Sequence, residues 1–181
     1  MKVALFFWQN IDRDPHSVQC VMYGKYEECG ILFVGEMEIE GFYTLQGGEY
    51  QKRIFTKEKG WGSHAAVDFL LLSVDEEEQR KLKATCEACV AAHKPFNLYD
   101  VLMMFVPFVN PKEISVFEAE TLNNTQAVVL ILRECLSSNN PLRLALEGLH
   151  SRQTFAITLY ERLSPHSLSV MWSSLLGQLR A

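Results

Sequence analysis

Tyr26-Glu27-Glu28-Cys29-Gly30-Ile31-Leu32-Phe33-Val34-Gly35 decides how the first half of the chain is read. After the acidic pair the run is apolar, short and closed by glycines at both ends, the pattern of a buried strand. Downstream, Glu36, Glu38 and Glu40 alternate with Met37 and Ile39, which predicts a strand with one wet face. Gly41 to Leu45 and Tyr50 to Phe55 flank Gly47-Gly48, a hairpin signal. Val67 to Val74 is a further strand-like run. Upstream, Val3 to Trp8 is apolar for only six residues. It lacks the length and cleavage site of a signal peptide and reads as a first strand.

From Asp75 onward the period changes. Asp75 with Glu78 three residues on matches a capping box, and Leu82, Cys86, Cys89 and Val90 follow at helical spacing. Glu76, Glu77 and Glu78 read as dipole compensation on a solvated face. Asn97 can cap a second short helix through Val101, Leu102 and Phe105. Asn123 or Asn124 can cap a third through Ala127 to Leu132, apolar nearly all round and therefore central. Asn140-Pro141 fits an N-cap with proline at the first helical position. Two more helical patterns cover Ala156 to Leu163 and Leu168 to Leu179. Strands first and helices later predict an α+β domain of N-terminal antiparallel strands packed on C-terminal helices.

The 181 residues suffice for one core without metal or disulfide support. Lys and Arg total 17 against 22 Asp and Glu, a net charge of -5, and no basic face is visible, so nucleic acid is not the expected partner. No apolar run reaches the roughly 18 to 20 residues of a membrane span. Five irregularly spaced cysteines, with no signal peptide, predict reduced thiols in an intracellular, cytoplasmic setting.

Phosphate loops, dinucleotide fingerprints, nucleophile elbows and zinc-protease motifs are all missing, and no cofactor is called for. Cys86 and Cys89, with His93 four residues on, form the one formal metal or redox pattern. A structural zinc site needs a second ligand pair, so these thiols read first as part of a buried stripe. A cysteine nucleophile wants an imidazole base and a helix N-terminus. None of Cys20, Cys29, Cys86, Cys89 and Cys135 stands at a predicted helix start. His64 lies in a loop-like segment, where a lone histidine is usually solvated. Asn123-Asn124-Thr125 matches a glycosylation sequon but reads more simply as a helix cap.

The order of the segments resembles the circularly permuted papain-like proteins of the NlpC type, many encoded by bacteria and large DNA viruses. The likeness covers about residues 1–163. Tyr26 to Phe33 stands where that family has its histidine strand, and Gln46-Gly47-Gly48-Glu49-Tyr50 looks like the hairpin. Trp61 and Val67 to Glu78 look like its strand-to-helix passage. Pro95-Phe96-Asn97-Leu98-Tyr99-Asp100 resembles an aromatic-Asn-x-x-Asp segment. Asn124-Thr125-Gln126-Ala127-Val128 opens the buried helix, and Ser151 to Tyr160 looks like the closing segment.

The resemblance implies a catalytic histidine on the strand and a cysteine nucleophile at the helix start. This sequence has Cys29 and Asn124, with Thr125 next. An asparagine amide is no nucleophile at neutral pH, and a thiol is no substitute for imidazole as base. The resemblance therefore implies a degenerate, non-catalytic member, a structural or protein-interaction component of a larger assembly such as a virus particle. The alternative is an active cysteine hydrolase or acyltransferase using His64 with Cys29 or Cys135. Residues 164–181 read as a C-terminal helical extension, with Ser169, Val170, Met171, Trp172, Leu175, Leu176 and Leu179 on one apolar face that packs back on the domain, the favoured option, or on a partner.

Overall fold

The computed structural model describes residues 1–10, 25–44, 48–55, 65–97 and 114–177. Its strands are β1 (Lys2–Asn10), β2 (Glu28–Val34), β3 (Ile39–Thr44), β4 (Tyr50–Phe55), β5 (Ala65–Leu71) and β6 (Leu168–Val170). Its α-helices are α1 (Glu76–Ala91), α2 (Asn124–Cys135), α3 (Pro141–Ala145), α4 (Ala156–Leu163) and α5 (Trp172–Leu176). The six strands make one sheet in the order β4-β3-β2-β1-β5-β6, antiparallel at every pairing. The chain is α+β, as the change of period predicts.

β1 has partners on both sides and both of its faces are buried. Val3, Leu5 and Phe7 join the core beneath α1 and α2, while Ala4 and Phe6 join a second apolar layer on the other face. This is why the N-terminal run is continuously apolar rather than alternating. Gly30 is required by the packing: a Cβ there would lie 2.5 Å from the Phe42 carbonyl oxygen and from the Phe6 ring.

α1 starts at the expected capping box. The Asp75 side chain accepts from the Glu78 N–H at 2.8 Å, and Glu78 accepts from the Asp75 N–H at 3.1 Å. α2 is the central helix, with every residue from Gln126 to Leu132 buried. It packs on β2 and on α1.

Three expectations need correction. The alternation at Glu36 to Glu40 is not one strand. Glu36, Met37 and Glu38 form an exposed bend, and β3 begins only at Ile39. Glu40 is buried, not wet, because Lys52 of β4 and Lys83 of α1 both reach it. Glu78 also leaves the solvated face and is only 4% exposed, since Ser137 and Asn140 supply donors to its carboxylate. Finally, the described part of 164–181 is not a helical extension. It is a 3-10 turn (Ser164–His166), then β6, then the short α5. Leu168 to Val170 instead complete the sheet by pairing with the free side of β5. The segment does pack back: Trp172 stacks on Phe69 at 5.4 Å and meets Phe55 edge-on at 5.8 Å, and Leu175 is fully buried.

The helix expected through Val101, Leu102 and Phe105, the Trp61-to-His64 passage, Cys20, Gly47 and Leu179 lie outside the described residues.

Candidate functional site

The sheet register carries Cys29 to the start of α2. Cys29 pairs with Phe7 of β1, and its side chain points to the helix-covered face with Ile31 and Phe33. There its Sγ–H donates to Thr125 Oγ1 at 3.8 Å. Thr125 is the second residue of α2. Asn124, the first, turns to the neighbouring strand and accepts from the Thr44 N–H through Oδ1 at 3.1 Å. Thr44 Oγ1 in turn donates to the Leu122 carbonyl at 2.8 Å. Cys29, Asn124 and Thr125, separated by some ninety residues in the sequence, thus meet where two strands abut one helix end. Thr44 completes the group. Nothing local in the sequence marks it; only the register of β3 does.

The N-cap of α2 is Asn123, one of the two residues expected to cap it. Its carboxamide makes a two-way clamp on the main chain of Asn97. Oδ1 accepts from the Asn97 N–H at 3.0 Å, and Nδ2 donates to the Asn97 carbonyl at 3.1 Å. Gln126 folds back so that Oε1 accepts from the Asn123 N–H at 3.3 Å.

Among the described residues, this arrangement supplies polar groups but no acid–base pair. Cys29 is 1% exposed, and burial pushes its thiol up to about 12 in pKa despite the Thr125 hydrogen bond. The carboxylate across β1, Asp68, is committed elsewhere. It takes a 2.7 Å ion pair from Lys25 and a hydrogen bond from the Tyr26 hydroxyl. Among the described contacts of Cys29 there is no imidazole and no carboxylate partner.

The other described thiols fare no better. Cys86 accepts from the Tyr50 hydroxyl at 3.5 Å, and burial raises its pKa. Burial raises Cys89 to about 11. Cys135, the alternative nucleophile, donates to Thr85 Oγ1 at 3.3 Å, and burial again raises its pKa. His64, its suggested base, is outside the described residues. His93 does not join Cys86 and Cys89. It lies beyond the end of α1 with φ 50°, exposed, with Nδ1 3.1 Å from a Glu49 carboxylate oxygen. Among the described residues, no three or more His, Cys, Asp or Glu side chains are grouped to hold a metal ion. Among them too, no helix is long and apolar enough to cross a membrane.

No protein-family model and no curated protein matches the chain. Among solved structures it is similar to the crystal structure of the metalloprotein yiiX from Escherichia coli O157:H7, DUF1105. The identity is 14% and the TM-score 0.47, over 98% of this chain and 91% of that one.

Proposed function

We propose that this chain is a non-catalytic interaction protein that keeps a permuted papain-like frame without its dyad. One observation carries the reading. Cys29 and Asn124, the positions for which the resemblance implies a histidine and a cysteine, come to the same helix end, and there they face Thr125 and Thr44 rather than an acid–base partner. The raised thiol pKa values of all four described cysteines point the same way, because a nucleophilic thiol needs stabilisation of its anion and burial does the opposite. The resemblance extends the proposal to a place in a larger protein assembly, a virus particle included.

The test is alkylation rate against pH on the folded protein and on each Cys→Ala variant. The expected result is that no cysteine reacts fast below pH 7. A single thiol that does, and that slows on His64→Ala, would end the proposal and identify an enzyme. Quantitative proteomics of purified particles tests the assembly part, which absence from them removes.

A further inference from the structure

The two edges of the sheet are finished differently. At β4 the first residues are covered, since the Tyr50 N–H donates to the Lys94 carbonyl and the Phe96 N–H to the Gly48 carbonyl, both at 2.8 Å. Lys52 and Arg53 charge the rest of that strand, the usual guard on an edge. β6 has no such guard. Residues 167–171 read Ser-Leu-Ser-Val-Met, without charge or proline. Ser167 (φ −135°, ψ 162°) and Met171 (φ −90°, ψ 153°) are extended, so they lengthen the edge beyond β6 at both ends. Leu168 is 63% and Met171 70% exposed, and Ser169 is exposed as well.

The register fixes what this edge offers. In an antiparallel ladder a residue's N–H and C=O point to one side, and successive residues face alternate sides. The Leu72 N–H donates to the Val3 carbonyl at 2.9 Å, one step along from the Ala4–Leu71 pair. Leu72 and Leu70 therefore bond towards β1, and Leu71 and Phe69 towards β6. These two stand opposite Leu168 and Val170, which bond inward. Ser169 thus points both its N–H and its C=O away from the sheet, and the alternation puts Ser167 and Met171 on the same side. The Ser167 N–H is taken by the Ser164 carbonyl, which leaves its C=O. The Met171 C=O is taken by the Ser174 and Leu175 N–H groups, which leaves its N–H. Among the described residues, none of these remaining groups has a partner.

We propose that β6 pairs antiparallel with β6 of a second copy of this chain, about a two-fold axis at Ser169. The free groups are self-complementary in that arrangement. Ser169 exchanges both hydrogen bonds with its counterpart. Two residues along, the Met171 N–H of each copy meets the Ser167 carbonyl of the other. The donor and acceptor that each flanking pair lacks are the ones already used inside the chain. The side chains agree. Leu168 comes opposite Val170 of the second copy, an apolar cross-strand pair repeated by the symmetry. Val170 and Leu71 pack on the second apolar layer, so the pairing carries that layer from one copy into the next. Such pairing is isologous and closes at two copies. So short a ladder buries less than the roughly 1,200 Å² of a standard interface, and the dimer is weak. The contact is on the far side of β1 and β5 from Cys29 and does not depend on the non-catalytic reading.

The experiment is sedimentation equilibrium of the full chain from about 10 μM to about 1 mM, the range of a weak contact. The wild type is expected to rise from the monomer mass towards twice that mass and to stop there. Ser169→Pro removes an N–H that only the second copy uses, and an edge proline spares the pairing with β5. It should weaken self-association at least about tenfold, the equivalent of two lost hydrogen bonds, with an unchanged melting midpoint at low concentration. If that variant melts early, Leu168→Lys decides in its place, a change at a side chain 63% exposed that should weaken the dimer similarly. Ser169→Cys tests the register. The two Cα atoms of such a hydrogen-bonded pair lie about 5.5 Å apart, within reach of a disulfide. Glutathione disulfide should therefore cross-link this variant into dimers at least about tenfold faster than the wild type, as the paired geometry requires. A wild type that stays monomeric to 1 mM overturns the proposal. So does a dimer that the folded variants leave intact, a mass beyond two copies, or no excess cross-linking in Ser169→Cys. The non-catalytic reading is judged separately, by thiol reactivity below pH 7.

Discussion

Cys29 occupies a space its own neighbours have shaped. Its side chain is enclosed by the core and by Thr125, and Gly30 beside it admits no Cβ. An imidazole is several atoms larger than a thiol, so Cys29→His should overpack the site and cost about 1–3 kcal/mol. Chemical denaturation reads this directly. An unchanged midpoint would mean that room for a histidine persists there. Glu78 makes the complementary case of a polar residue the core has absorbed. Oε1 accepts from the Ser137 N–H at 2.8 Å and from the Ser137 hydroxyl at 2.7 Å, and Asn140 donates to both carboxylate oxygens. Glu78→Ala strands these donors and should cost roughly 2–4 kcal/mol. A loss below 1 kcal/mol on thermal melting would show that water replaces the carboxylate freely. Glu78 was legible as a capping residue, because Asp75 is three positions away. It was not legible as buried, because Ser137 and Asn140 lie some sixty positions on.

At the scale of elements, α1 and α2 were readable because caps are local. Asp75, Glu78 and Asn123 each sit within a few residues of the helix they start. What a cap does beyond its helix is not local. Asn123 ties α2 to the strand-like segment at 95–97, where Pro95 bridges to Glu49 and the Leu122 N–H reaches the Pro95 carbonyl at 3.0 Å. Asn123→Ala removes both hydrogen bonds to Asn97 and should cost about 1–2 kcal/mol. The signature of the clamp is faster hydrogen exchange at the Asn97 amide. If stability drops while that amide stays protected, Asn123 is only a helix cap. The C-terminal segment failed for a related reason. Leu168 to Leu179 has an apolar stripe, but Leu168-Ser169-Val170 lies beside the open edge of β5, and the ladder it makes there outweighs helical spacing. α5 then places Trp172 over Phe69 and Phe55. Trp172→Ala should cost about 2–3 kcal/mol from lost burial and ring contact, seen as a lower unfolding midpoint. No change would make residues 164–181 a separable extension after all.

For the molecule as a whole, the sheet's two faces and its buried carboxyls set an unusual response to pH. Burial raises the carboxyl of Glu40, but Lys52 and Lys83 outweigh it, and the pKa falls below the ordinary value. In Glu78 burial is likewise outweighed by Ser137, the Asp75 N–H and Asn140, and in Asp68 by Lys25 and Tyr26. A carboxyl lowered in the folded state stabilises above its unfolded pKa, near 4, and that stability drains as pH falls through the folded value. Glu28 works in the opposite sense. Burial, helped by the Glu27 charge, raises it to about 7. Its folded form holds the proton more tightly than the unfolded chain does. Stability from Glu28 is therefore complete below about pH 4.5 and is lost as pH rises to about 7. The loss is on the order of 2 kcal/mol, allowing for partial solvent access. The two trends leave a maximum near pH 5, more acidic than neutral. Urea midpoints measured from pH 4 to pH 8 should rise and then fall across that maximum, and Glu28→Gln should flatten the fall between pH 5 and 7 while leaving the acid limb in place. A wild-type curve that climbs steadily to pH 7 would mean that Glu28 ionises in the folded protein at an ordinary pKa, and so that the end of β2 is wetter than its burial implies.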